Sequence, residues 1–257
     1  MIRFITIHHE TDKFLYLQKT YIEKNTNDDY IVYCGYSNIS PANLDEKYKL
    51  IDLTNQSHHH ADRLNILYNF AKTDANEDDI IIFIDSDCYP ISQNWISELK
   101  KYLNENPIAA IQRKENFSAP LGCVPELHPH PCFFATTVKF WSSNNLKFDT
   151  QETAGYQIGL WLLKNNLDFY KLLRSNTVNI HPLMFGVYND IIYHHGAGNR
   201  PPYDGADTCL RQRLGTGEEL GAFYNKISSF NQKLSNLVYD EILNDYDFIK
   251  NYLIGVK

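Results

Sequence analysis

Hydrophobic and polar positions along the first 112 residues switch repeatedly between a strand period and a helix period. Ile2 to His8 is a β-rich run, after which Phe14, Leu15, Leu17, Tyr21 and Ile22 fall at roughly helical spacing. Tyr30 to Cys34 and Lys49 to Leu53 read as the second and third strands. Leu64, Leu67, Tyr68 and Ala71 follow the i, i+3, i+4, i+7 rule, which predicts an amphipathic helix over Ala61 to Lys72. Ile80 to Ile84 is an unbroken apolar run, the mark of a strand buried on both faces. Trp95, Ile96, Leu99, Tyr102 and Leu103 outline another helix, and Ile108 to Gln112 a fifth strand. Strands alternating with helices of this length predict an α/β fold with a mainly parallel central sheet flanked by helices.

After Gln112 the rhythm breaks. Arg113 to Pro131 carries Pro120, Gly122, Pro125, Pro129 and Pro131 and reads as a long irregular loop of the kind that serves function. Cys132 to Thr137 resumes as a strand, Thr153 to Asn165 as a helix with Glu152 at or just before its first turn, and Ile191 to His194 as a last strand. Gly196 to Gly221 holds six glycines and two prolines and is expected to be mobile. Phe223 to Ile254 has helix-like apolar spacing and is expected to pack as a helical tail across the sheet. With no repeat and no clean linker, one domain over residues 1–257 is the simplest organisation.

Composition removes several classes. The chain has 24 basic and 31 acidic residues, a net charge of -7, which argues against broad binding to a nucleic-acid backbone. Its longest apolar runs fall far short of the roughly 20 residues that span a bilayer. Two histidines and an acid follow the first strand too soon for a secretion signal. Cys34, Cys88, Cys123, Cys132 and Cys209 are scattered without a C-x-x-C pair, which suits reduced thiols in a cytoplasm and offers no structural zinc site.

The apolar strand Ile80 to Ile84 runs into Asp85-Ser86-Asp87. If the extended backbone persists through Ser86, the two carboxylates point the same way, at the end of a strand where α/β sheets bind ligands. They could hold a divalent cation; an ordinary strand-to-turn exit is the plainer alternative, since Asp and Ser favour turns and Pro90 follows. Further ligands are offered by His194 and His195, just before a glycine-rich stretch, and one imidazole with carboxylates suits Mn²⁺ at least as well as Mg²⁺. His58, His59 and His60 read as an exposed helix start.

An N-terminal β/α half, an apolar strand ending in Asp-x-Asp, a later acid opening a helix and a C-terminal histidine, in this order over Ile2 to Arg200, resemble a GT-A glycosyltransferase of the family 2 type. The resemblance implies a Rossmann-like domain divided into a nucleotide-sugar half (1–112), an acceptor and catalytic half (113–200), and a mobile loop with a helical tail (201–257). It implies that Asp85 lies near the ribose or a metal water, that Asp87 is a direct Mn²⁺ or Mg²⁺ ligand, and that His194 or His195 completes the site. It further implies a catalytic base at Glu152 or Asp149, with Glu152 favoured; the family's frequent Glu-Asp is Glu152-Thr153 here, and a helix-capping acid is the plainer reading. Nucleotide contacts are implied for Thr6, His8 and Glu10 after the first strand, for Gly35 to Asn38 after the second, and for Ser86. Arg63 would meet the nucleotide or a phosphate, or else sit on a solvated helix face, and Arg200, Arg211 and Arg213 would close over the diphosphate or remain solvated. The acceptor would lie beside Arg113 to Pro131, where His128-Pro-His130-Pro stands out. The activity implied is inverting, metal-dependent transfer from a nucleotide-diphosphate sugar, UDP-linked as a prior, to a hydroxyl of a glycan or lipid-linked acceptor. A cytoplasmic setting, with peripheral association at the inner membrane face, goes with that activity. A nucleotidyltransferase would want a glycine-rich phosphate loop, and Thr6 to Lys13 has no glycine. A phosphatase with an Asp-x-Asp nucleophile fits less well, and a non-catalytic carbohydrate-binding protein of the same fold is the alternative from another class.

Overall fold

The computed structural model describes residues 1–112, 128–150, 154–181, 184–196 and 218–255, with 218–228 described by backbone alone. The alternation read from the sequence becomes β1 (Ile2–His9), α1 (Leu15–Asn25), β2 (Tyr30–Ser37), β3 (Tyr48–Asp52), α2 (His60–Ala71) and β4 (Ile80–Ile84). After a short β5 (Cys88–Pro90) come α3 (Trp95–Glu105), β6 (Ile108–Ile111), β7 (His130–Thr137), α4 (Val138–Ser143), α5 (Tyr156–Lys164) and β8 (Tyr170–Leu172). The chain then forms β9 (Gly186–Tyr188), β10 (Ile192–His194) and the long helix α6 (Glu218–Asn244), and Ile249–Ile254 adds a wide helical turn.

Seven strands make one sheet in the order β3-β2-β1-β4-β7-β6-β8. β1 pairs in parallel with β2 and with β4, and β2 with β3. β7 alone runs against its neighbours, pairing antiparallel with β4 and β6, while β6 and β8 are parallel. The expectation of a mainly parallel, helix-flanked α/β sheet with a C-terminal helix is met. One face buries Phe4, Val32, Ile82 and Ala135 against Leu15, Trp95 and Leu99 of α1 and α3. The other buries Ile5, Tyr33, Phe83 and Phe134 against Leu64 and Leu67 of α2, Trp141 of α4 and Ile158 of α5. Each such side chain contributes about 1.5–3 kcal/mol, so the central strands are held from both sides.

A second, three-stranded sheet has the order β5-β10-β9 and is antiparallel throughout. Its strands are three residues each, too short to leave a periodic signature. Asn189 and Asp190 turn β9 into β10 with φ of 48° and 58°, the left-handed pair that matches the twist of a hairpin, and Ile191 N–H closes the turn onto Tyr188 O at 3.1 Å. The C-terminal segment does not lie across the large sheet. Val238, Ile242, Ile249 and Leu253 pack instead with Phe14, Leu17 and Tyr21 of α1 and with Tyr89, Val187 and Tyr193 of the small sheet. α5 begins at Tyr156 rather than Thr153, because Gly155 at φ 102° cannot continue a right-handed helix.

Candidate metal centre

β4 ends at Ile84, and the chain turns through Ser86 and Asp87 before β5 begins: Cys88 N–H donates to Asp85 O at 3.0 Å, closing the turn. The expectation that an extended backbone aligns the two carboxylates is therefore replaced by a turn that brings both onto one ring. His194 Nε2 lies 3.3 Å from Asp87 Oδ1 and 3.6 Å from Asp85 Oδ2. The three ligand atoms lie within 4.8 Å of one another, as a divalent cation requires. Pairing of β10 with β5 sets His194 opposite Cys88, and His195 N–H donates to Asp87 O at 2.9 Å, so the small sheet carries the imidazole to the acids.

Alternation along β10 separates the two histidines. His195 is fully buried on the far side, between the rings of Phe14 and Phe185, with centroids 4.9 Å away in both cases. Its Nε2 meets Ser235 O at 3.1 Å and Ser235 Oγ at 2.9 Å; a carbonyl only accepts, so Nε2 carries the hydrogen and Nδ1 accepts from the Tyr193 hydroxyl at 3.0 Å. Burial pushes its pKa down to about 3. His194 faces the acids. Burial alone would lower its pKa, but the Cys132 thiol and the Asp87 carboxylate beside it more than offset this and raise it well above 6.5. A cation taking that nitrogen must displace a proton. Two carboxylate oxygens and one imidazole nitrogen, with Asp87 and His194 both largely buried, fit Mn²⁺ or Mg²⁺, with the nitrogen favouring Mn²⁺.

A third histidine reaches the acids. His60, the first residue of α2, sets Nε2 3.7 Å from Asp85 Oδ1. His58, His59 and His60 are all exposed at the start of α2, as the sequence suggested, and His60 nonetheless reaches Asp85. α2 also positions Arg63, which is buried rather than solvated: Nε donates to Ser57 O at 2.7 Å and Nη1 to Ser37 Oγ at 3.0 Å. Burial lowers its pKa, and it makes no carboxylate pair among the described residues. Asn65, two residues later, clamps the backbone of Phe148 in both directions, at 2.9 and 3.0 Å, directly before half-buried Asp149. Nothing in the sequence alone singled out His60 or Asn65.

Thr6 and His8 are fully buried on β1, while Glu10 and Asn38 leave the ends of β1 and β2 in the left-handed region, with φ of 60° and 57°. Asn38 lines an open groove of about 430 Å³ with Tyr36, Ile39, Ser40, Pro41, Asp52 and Thr54, beyond the carboxyl ends of β2 and β3. Ser86 sits at the tip of the turn between the two acids. Glu152, Arg200, Arg211, Arg213 and most of the Arg113 to Pro131 loop lie outside the described residues. No described helix is long and apolar enough to cross a membrane.

No protein-family model matches the chain, and no curated protein matches it in sequence. Several solved structures share the fold loosely. They include the mannosyltransferase PcManGT from Pyrobaculum calidifontis, solved with GDP-Man and Mn²⁺, at 14% identity and a TM-score of 0.42, over 60% of this chain and 49% of that one. The catalytic domain of Drosophila β1,4-galactosyltransferase 7, solved with xylobiose, has 11% identity and a TM-score of 0.41, covering 84% and 83%. A Bacillus anthracis protein provisionally assigned as a glucose-1-phosphate thymidylyltransferase, solved with sucrose, has 12% identity and a TM-score of 0.41, covering 73% and 89%. The chain thus spans about half the length of the mannosyltransferase. Likeness at this level is one of architecture, and the functional reading rests on the site's own geometry.

Proposed function

We propose that this chain is a divalent-metal-dependent glycosyltransferase that moves a sugar from a nucleotide-diphosphate sugar to an acceptor hydroxyl. The observation that carries the reading is the convergence of Asp85, Asp87 and His194 at the carboxyl end of β4, where parallel sheets receive ligands. A bound Mn²⁺ or Mg²⁺ would supply positive charge to a departing diphosphate. The protein's part is positional: Asp87 and His194 hold the cation, Asp85 faces it from the exposed side, and the groove beside Asn38 receives the nucleoside. Thr6, His8, Glu10, Ser86 and Arg63 border or support this donor half, and Arg200 would close over the diphosphate. Glu152 or Asp149 would deprotonate the acceptor hydroxyl for an inverting attack. A UDP-sugar is the first donor to try and a glycan or lipid-linked sugar the first acceptor, in a cytoplasmic enzyme that visits the inner membrane face.

Release of nucleoside diphosphate from a panel of nucleotide-sugars, with and without Mn²⁺, tests the reading. Mn²⁺-dependent release that Asp87→Ala or His194→Ala reduces at least 100-fold supports it. A silent panel, or release indifferent to both substitutions, overturns it. Condensation of a nucleoside triphosphate with a sugar phosphate would instead identify a nucleotidyltransferase.

A further inference from the structure

Gln18 belongs to α1, far from the acids in sequence, on a helix whose polar positions read as solvent-facing. It is buried, with 1% of its surface exposed. Its single amide nitrogen donates one hydrogen to Asp85 O and the other to Cys88 O, each at 2.8 Å. Those carbonyls are the first and last of the turn that presents Asp85 and Asp87. With both amide hydrogens committed, Gln18 Oε1 is left as an acceptor, and His8 Nε2 lies 3.3 Å from it. The hydrogen therefore sits on His8 Nε2, and burial, which pushes the pKa of His8 down to about 4, keeps the ring neutral.

The other ring nitrogen, His8 Nδ1, is buried without a hydrogen-bond partner among the described residues. An unsatisfied buried acceptor is a cost that folded proteins seldom retain. A leucine at position 8 would avoid it, but would leave Gln18 Oε1 buried without its donor and so weaken the hold on the amide's orientation. Further ties point the same way: Asp85 N–H donates to Cys132 O on β7, and Asp87 O accepts from His195 N–H directly after β10. The turn is held by the large sheet and by the small sheet, and its two ends are bridged by one amide from α1.

We propose that Gln18, oriented by His8, is a positioning residue that sets the spacing of the Asp85 and Asp87 carboxylates and so the affinity of the cation site. The proposal rests on the metal reading given above. Groups that orient metal ligands from behind typically alter metal affinity by about 10- to 100-fold when removed.

Gln18→Met keeps the length and bulk of the side chain and removes both donors. Its effect is to be read as the Mn²⁺ dissociation constant, by electron paramagnetic resonance titration at low temperature in the absence of nucleotide. Asn25→Leu serves as the matched control. Asn25 is equally buried on α1 and donates from one amide to Tyr21 O and Pro90 O, but touches neither end of the metal turn. Gln18→Met should weaken Mn²⁺ binding about 10- to 100-fold, whereas Asn25→Leu should leave it within about twofold even where it lowers the melting temperature as much. Wild-type-like Mn²⁺ affinity in Gln18→Met overturns the proposal, as does equal weakening in both variants, which would mark a general loss of packing. The unsubstituted protein separates the two levels: if it binds Mn²⁺ and Asp87→Ala does not, the metal reading stands whatever Gln18 does. If it binds none, the metal reading falls first.

Discussion

His195→Gln should change the shape of the pH–stability curve as well as its height. In the folded protein the His195 ring is neutral, with a pKa of about 3, against about 6.5 in the unfolded chain. The unfolded state therefore binds more protons between those values, and stability falls as pH falls below 6.5. At pH 5 an imidazole of pKa 6.5 carries a protonation factor of about 30, so this group alone removes about 2 kcal/mol relative to pH 8. His8, held neutral with a pKa of about 4, removes about as much again over the same interval. His194 acts in the opposite sense: its raised pKa adds stability that is fully present below 6.5 and is lost as pH rises through the folded value. Urea denaturation in EDTA at several pH values between 5 and 8 measures the balance. Glutamine at 195 does not titrate, so the gap between wild type and variant should narrow by about 2 kcal/mol from pH 8 to pH 5. Parallel curves would refute the reasoning, since they would mean that the ring titrates normally and is not sealed between Phe14, Phe185 and Ser235.

Asp79→Ala should cost about 3–5 kcal/mol at neutral pH by urea denaturation, because it leaves the buried Arg3 guanidinium without the carboxylate 2.8 Å from its Nε. Asp74→Ala removes the more exposed partner of the same guanidinium, and a cost near that of Asp79→Ala would contradict this ranking. Gly155→Ala should lower the melting temperature much more than Gly35→Ala. A β-carbon at 155 would sit 2.2 Å from the Pro129 carbonyl oxygen in a left-handed backbone, whereas at 35 it meets the mobile ends of Leu53 and Leu67. Equal melting temperatures would show that the backbone at 155 yields.

The first 112 residues were legible because most of their strands and helices are long enough for their periods to register. β4 announced itself by five consecutive apolar residues, and all five are buried. The direction of β7 was not legible: Cys132 to Thr137 reads as a strand either way, and only its partners β4 and β6 show that it runs antiparallel. The strand that delivers His194 was legible at Ile191 to His194, but its three-residue partners β5 and β9 are shorter than any period can reveal, so the small sheet that sets it beside the acids stayed hidden. Asp85 and Asp87 were found by type and position, although the physical reason given, an extended backbone, proved to be a turn. The contacts of Gln18 and His60 with the Asp85 turn, and of Asn65 with Phe148, carry no local signal, because they depend on which loops the fold sets beside these residues.

The turn at Asn189 and Asp190 has a bearing on how this chain can vary over evolutionary time. It fixes the reading frame of β10, and the frame decides which of two adjacent, chemically identical side chains faces the acids. One residue lost there would set His195 against the acids in place of His194, and one residue gained would set Tyr193 against the acids and His194 in the apolar seat by Ser235. Length changes should accordingly be tolerated in the loops between elements and purged between Tyr188 and His195. Which histidine faces the acids is thus decided by the backbone conformation of two residues, neither of which belongs to the Asp85, Asp87 and His194 cluster.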